Sequence, residues 1–241
     1  MDANERDNIE HELNTRTLDE AAFMELSKIQ ADLRHEDFQF RLKAVQALHY
    51  YPSDVAVPIL LDQLIDREFL VRTFIAMALA KHQTDRSFQA LLEMMKFDDT
   101  PSVRAEASNS LSLFGRVSLS HLVTAFIQDD HWLLRRSILA AITEMDSPIE
   151  LLEICLEGLQ ADDRAVQEAC IDAMGSLHAS PQKMTVMERL LELANDESWR
   201  TRRQVAIALR DFDHPRASAK LHQLRQDPDH RVIAAALEEL L

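Results

Sequence analysis

Residues 66–79 read DREFLVRTFIAMAL. An acid is followed six places later by Arg72, which has an apolar residue just before it and Ile75, Ala78 and Leu79 at +3, +6 and +7. The same order returns as FRLKAVQAL (Phe40–Leu48), VRAEASNSL (Val103–Leu111), LRRSILAAI (Leu134–Ile142), VQEACIDAM (Val166–Met174), TRRQVAIAL (Thr201–Leu209) and VIAAALEEL (Val232–Leu240). The arginine position is taken in turn by Arg41, Arg72, Arg104, Arg135, Gln167, Arg202 and Ile233, at spacings of 31, 32, 31, 32, 35 and 31 residues. Positions −1, +3, +6 and +7 share one face at 3.6 residues per turn, so each recurrence predicts a helix. The small residue favoured at +6 lets a neighbouring helix approach closely.

Between recurrences runs a second amphipathic segment. These are residues 18–33, 55–65, 87–96, 118–128, 148–160, 184–194 and 217–226. The expected fold class is therefore all-α, about seven helical hairpins stacked as a solenoid. Only 3 of 241 residues are Gly, too few for the tight turns of an all-β fold or for a Gly-rich phosphate loop. The longest spacing ends at Arg202 and includes HASPQK (178–183), which predicts a longer loop and a change of curvature there. The first 16 residues are acidic and polar without an apolar stripe and are expected to form a flexible tail; residues 17–241 are expected to form a single repeat domain.

The pattern resembles HEAT repeats of the short, phycobilisome-lyase-like form, which reads D-x-x-x-x-V-R-x-x-A-x-x-A-L with V-P-x-L in the other helix. Val57–Pro58–Ile59–Leu60 matches the latter. The resemblance covers about residues 18–241 and implies a right-handed α-α superhelix. It also implies a ladder of side-chain hydrogen bonds between neighbouring repeats. Here the ladder residues are Arg41, Asp66, Arg72, Asp98, Arg104, Asp129, Arg135, Asp196 and Arg202, with interruptions at Gln167 and Ile233. Each acid precedes a helix and can accept from free backbone N–H groups.

In such solenoids the second helices line a concave binding face. Leu42, Gln46, His49, Leu70, Thr73, Phe74 and Met77 form its expected apolar end. Arg136, Arg200, Arg203, Ile207 and Arg210 form its expected basic end. A contiguous apolar surface marks a partner site. Residues 200–231 hold eight Lys/Arg against four Asp/Glu, suited to an acidic protein segment or a ligand carboxylate.

The whole chain carries a formal charge of −15, which disfavours a nucleic-acid partner. No apolar run approaches the roughly 20 residues needed to span a bilayer, so no membrane insertion is expected. The acidic N-terminus resembles neither a signal nor a transit peptide, which predicts a cytoplasmic protein. Cys155 and Cys170 are expected to be reduced thiols in the core. No HExxH, GxSxG, P-loop or GxGxxG is present, and ten scattered histidines show no metal-ligand spacing. Deoxyhypusine hydroxylase, a HEAT-like di-iron enzyme, needs His–Glu pairs at corresponding helix positions. This chain has only His11–Glu12 and His35–Glu36, neither at a repeat's arginine position.

The expected function is non-catalytic: a scaffold or adaptor gripping a protein in its groove, with no catalytic residues, no metal and no cofactor. The resemblance implies two alternatives. Phycobilin lyase subunits and a phycobilisome-breakdown factor carry these repeats, which would make the partner a phycobiliprotein or the ligand a bilin. A cyanobacterial HEAT-repeat protein is associated with iron–sulfur assembly, a role that here requires Cys155 or Cys170 to be exposed.

Overall fold

A computed structural model describes residues 25–237. The described residues hold fourteen α-helices and no strand. The first, α1, is helical over residues 25–32; the remainder of the expected first segment (18–24), and the expected tail, lie outside the described residues. There follow α2 (Phe38–Leu48), α3 (Ser53–Leu61), α4 (Phe69–Lys81), α5 (Asp85–Phe97), α6 (Pro101–Ser112), α7 (Leu119–Gln128) and α8 (Trp132–Glu144). The chain continues through α9 (Pro148–Gly158), α10 (Arg164–Ser176), α11 (Lys183–Leu193), α12 (Trp199–Leu209), α13 (Pro215–Leu224) and α14 (His230–Leu237). The even-numbered helices carry the repeated motif. The fold class is all-α, a HEAT-like solenoid of helical hairpins.

Helix boundaries follow from local chemistry. Asp37 starts α2 by accepting from the Gln39 amide at 2.9 Å, and Asp163 starts α10 by accepting from the Ala165 and Val166 amides. Pro101, Pro148 and Pro215 stand in the first turn, where a missing N–H costs nothing. The α6–α7 connection turns at Gly115, whose φ of 72° is the left-handed region, and continues as a 3-10 turn over Gly115–Ser118. A second 3-10 turn, Leu177–Ala179, fills the start of the long connection after α10.

The chain divides into two compact units between Ala90 and Leu91, inside α5. In the first, α2 packs beside α4. Val71, Ile75 and Leu79 of α4 are fully buried, as are Val45 and Leu48 of α2. In the second, α6, α8, α10, α12 and α14 pack in that order, each against the next, while α9, α11 and α13 back α10, α12 and α14. Its core is Val103, Leu134, Ile138, Ile142, Val166 and Val232 together with Phe126 from α7. Truncating one such Leu or Ile to Ala costs about 2–5 kcal/mol.

Two glycines set helix spacing in the second unit. A Cβ on Gly158 of α9 would run into the Cys170 sulfur and the Phe126 ring, and one on Gly175 of α10 would lie 3.1 Å from the Ala208 backbone of α12. Cys155 and Cys170 meet in this packing, both 0% exposed. The hydrogen bond that the Cys155 thiol donates to Cys170, together with burial, pushes the Cys155 thiol well up, so it stays protonated.

Candidate functional site: a side-chain ladder and an acidic-walled groove

The motif arginines Arg41, Arg104 and Arg202 each reach in two directions. Backward, Nη1 donates to the carbonyl six residues earlier: Arg41 to His35 (2.9 Å), Arg72 to Asp66 (2.7 Å), Arg104 to Asp98 (3.0 Å) and Arg202 to Asp196 (2.8 Å). Arg135 makes the same bond to Asp129 through Nε at 2.8 Å. Forward, the guanidinium pairs with the aspartate 25 residues on. Arg41 holds Asp66 at 2.7 and 2.9 Å, Arg202 holds Asp227 at 2.7 and 2.9 Å, and Arg104 holds Asp129 at 2.8 Å. The motif aspartates Asp66, Asp98, Asp129, Asp196 and Asp227 each take the amide two residues on, at Glu68, Thr100, His131, Ser198 and Asp229, all at 2.8–2.9 Å. One carboxylate thus fixes a turn and ties it to the preceding repeat. Burial pulls Asp66 upward, but the Arg41 hydrogen bond, the Glu68 amide and the arginine charges outweigh it and leave Asp66 below the usual carboxylate range. The Arg202 hydrogen bond likewise lowers Asp227.

The ladder changes at the fifth repeat. Ala161 stands where the carboxylate would be, and Arg135 instead donates to the Phe126 and Asp129 carbonyls, with its guanidinium 5.4 Å from the Phe126 ring centre. Gln167 replaces the arginine, and its Nε2 donates to the Ala161 carbonyl at 2.6 Å.

A groove of about 530 Å³ lies over α8, α10 and α12. Its floor is small, with Ala140, Ala169, Ala173 and Gly175 among the lining residues, joined by Leu139 and Ile207. Its charged residues are Arg136 against Glu144, Asp172 and Asp211. Gln204 donates to Asp172 at 3.1 Å and fixes that wall. Small floor residues let a partner backbone come close, and three carboxylates against one guanidinium favour a basic guest. Among the described residues no cluster of His, Cys, Asp and Glu could hold a metal ion, and no helix is long and apolar enough to cross a membrane.

The family model for HEAT repeats matches residues 26–112 and 178–241, more than half of the chain. The chain belongs to the HEAT-repeat family. No curated protein matches the sequence. Among solved structures, Escherichia coli YibA is 17% identical, over 87% of this chain and 79% of that one, with a TM-score of 0.58. Kap121p, solved bound to Nup53p, is 14% identical over 90% of this chain and 29% of its own, with a TM-score of 0.58. The CpcE–CpcF complex of phycocyanin lyase from Nostoc sp. PCC7120 is 18% identical, over 90% and 94%, with a TM-score of 0.49. At these identities the likeness is one of fold.

On this HEAT-repeat frame the expected concave residues separate. In the first unit, Leu70 and Met77 are 38% and 47% exposed, Gln46 and His49 are exposed, and Leu42, Thr73 and Phe74 are half-buried. In the second, Arg136 and Ile207 line the groove, whereas Arg200 lines a different cavity and stacks 4.6 Å from the Trp199 ring centre. Arg203 is exposed, and Arg210 folds back onto the Ile207 carbonyl at 3.3 Å.

The basic stretch over residues 200–231 is partly neutralised from within. Much of that charge is paired within the fold: Arg202 with Asp227, Arg216 with Glu188 and Arg231 with Asp229. The groove itself carries more acid than base. Asp227 is a ladder residue that the sequence reading missed. Ile233 ends the arginine series, but the acid six residues before it still serves Arg202, and the 25-residue offset from Arg202 was the available signal. A role requiring an exposed thiol finds none at Cys155 or Cys170.

Proposed function

We propose that this HEAT-repeat chain is a non-catalytic scaffold that holds a basic protein segment in the groove over α8, α10 and α12. The observation that carries this reading is the groove itself, open, floored by alanine and glycine, and walled by Glu144, Asp172 and Asp211. Peptide backbone packs on small residues, and lysine or arginine side chains satisfy the walls. The resemblance of the repeats to phycobilisome-lyase-like ones makes a phycobiliprotein the first named candidate partner.

The test places a photo-crosslinking residue at Thr143, inside the groove, and another at Glu153, on the exposed side of α9. A partner cross-linked from Thr143 alone, and lost when Ala173→Arg fills the floor, supports the reading. Equal cross-linking from Glu153, or capture indifferent to Ala173→Arg, rejects it. The visible spectrum of the cross-linked product decides the phycobiliprotein assignment. The bilin alternative rests on the sequence resemblance, with Leu70, Phe74 and Met77 as the apolar residues it would use. A bilin spectrum unchanged by the protein, or changed equally by the Phe74→Ala variant, rejects it.

A further inference from the structure

The ladder's interruption at Gln167 coincides with a cavity. Three rungs in this chain show what normally occupies the place between one repeat's arginine position and the next repeat's aspartate: a guanidinium held at 2.7–2.9 Å by the carboxylate. Gln167 reproduces only the backward half of a rung, its amide turned to the Ala161 carbonyl at 2.6 Å. It is too short to supply the forward half. The corresponding carboxylate, Asp196, accepts from the Ser198 amide at 2.8 Å. Arg202, whose Nη1 donates to the Asp196 carbonyl, is within electrostatic reach, but its fork goes to Asp227, and among the described residues no guanidinium hydrogen bond reaches the Asp196 carboxylate. A cavity of about 310 Å³ opens there, lined by Gln167, Asp196, Glu168 and Asp162 with Leu159 and Ile171. Arg164 and Arg200 also line it, but Arg200 stacks on Trp199 and the three carboxylates outnumber the two cations.

We infer that this cavity is a binding site for an arginine side chain presented by another protein, which completes the interrupted ladder in trans. The planar fork of a guanidinium matches a carboxylate in two parallel hydrogen bonds, as Arg41 and Arg202 display on Asp66 and Asp227. The apolar walls from Leu159 and Ile171 suit the aliphatic stem. The cavity is separate from the groove of the proposed function, sharing none of its lining residues, so this inference stands or falls without it.

The experiment titrates the full chain with acetyl-Gly-Arg-Gly-amide, with its lysine counterpart and with free arginine, following backbone amide signals by NMR. The arginine peptide is expected to shift Ser198 and Thr201 and to bind at least about tenfold more tightly than to Asp196→Asn. Gln167→Arg supplies the guanidinium in cis. It is expected to abolish peptide binding and raise Tm by about 2–4 °C. Asp172→Asn, in the other groove, is expected to bind the peptide like the wild type. Tighter binding of the lysine peptide would make the site a general ammonium site and overturn the guanidinium assignment. Tighter binding of free arginine would overturn the protein source. No shift at Ser198, equal binding by Asp196→Asn and Gln167→Arg, or loss in Asp172→Asn would overturn the site. Amide spectra report folding of every variant, and Gln167→Arg installs a pair of the kind seen at Arg41–Asp66, Arg104–Asp129 and Arg202–Asp227.

Discussion

Arg41 and Asp66, 25 residues apart, are joined by two hydrogen bonds of 2.7 and 2.9 Å, with side chains only 7% and 5% exposed. The same arginine holds the His35 and Glu36 carbonyls, and the same aspartate holds the Glu68 amide. Two turns of backbone, through three of their polar groups, thus converge on one buried ion pair. Breaking such a pair from one side leaves a charge without its partner in a poorly solvated place.

Asp66→Ala is therefore expected to cost about 3 kcal/mol of unfolding free energy. Glu192→Ala removes the acid of an exposed pair with Arg189 and is expected to leave the urea midpoint almost unchanged. Urea unfolding followed by circular dichroism measures both. Equal effects would mean that burial does not distinguish the ladder from surface pairing.

Acid should destabilise the protein in two stages. His82 is buried; its Nε2–H donates to the Leu48 carbonyl at 3.1 Å, and Nδ1 accepts from the Ser53 hydroxyl at 3.2 Å. Burial, opposed by the Leu48 bond, lowers its pKa below that of a free histidine. The unfolded chain then binds the proton more readily. The stability His82 contributes is present above about pH 6.5 and is lost as pH falls through the lower folded value. Asp66 and Asp227 are also lowered, so their contribution holds above about pH 4 and is lost as pH falls through their folded values. A series of urea midpoints against pH should show the upper stage vanish in His82→Gln and the lower one shrink in Asp66→Asn. A His82→Gln profile that matches the wild type would contradict the first assignment.

Gly158→Ala should cost about 1–3 kcal/mol, because the new methyl meets the Cys170 sulfur and the Phe126 ring in a fully buried place. Gly115→Ala meets nothing within 4 Å and pays only for its left-handed φ of 72°, about 1 kcal/mol. Thermal melts of the two variants rank them. The reverse order would place the tight packing elsewhere.

Much of the architecture was legible in the chain itself. The arginine periodicity located α2, α4, α6, α8, α10, α12 and α14, because helical phase is a local property and repeats every 3.6 residues. The 3-10 turns at Gly115–Ser118 and Leu177–Ala179 were not legible, since they answer to the distance the chain must bridge between packed helices. Of the expected concave residues, Arg136 and Ile207 share a groove, while Arg200 lines a second cavity. Spacing within one helix says which side a residue is on; what stands across from it belongs to the next repeat.

Sequence alone determined that this is a chain of helical hairpins with an arginine and an aspartate at fixed stations, because periodicity and turn chemistry act over a few residues. Tertiary structure decided what those stations do. Phe40 and Val71 hold the same motif position, yet Phe40 is 44% exposed and Val71 is fully buried. Gln167 reads as one altered letter, yet it leaves Asp196 facing a cavity. Burial and pairing depend on side chains about 25–32 residues away, brought together only when the hairpins stack.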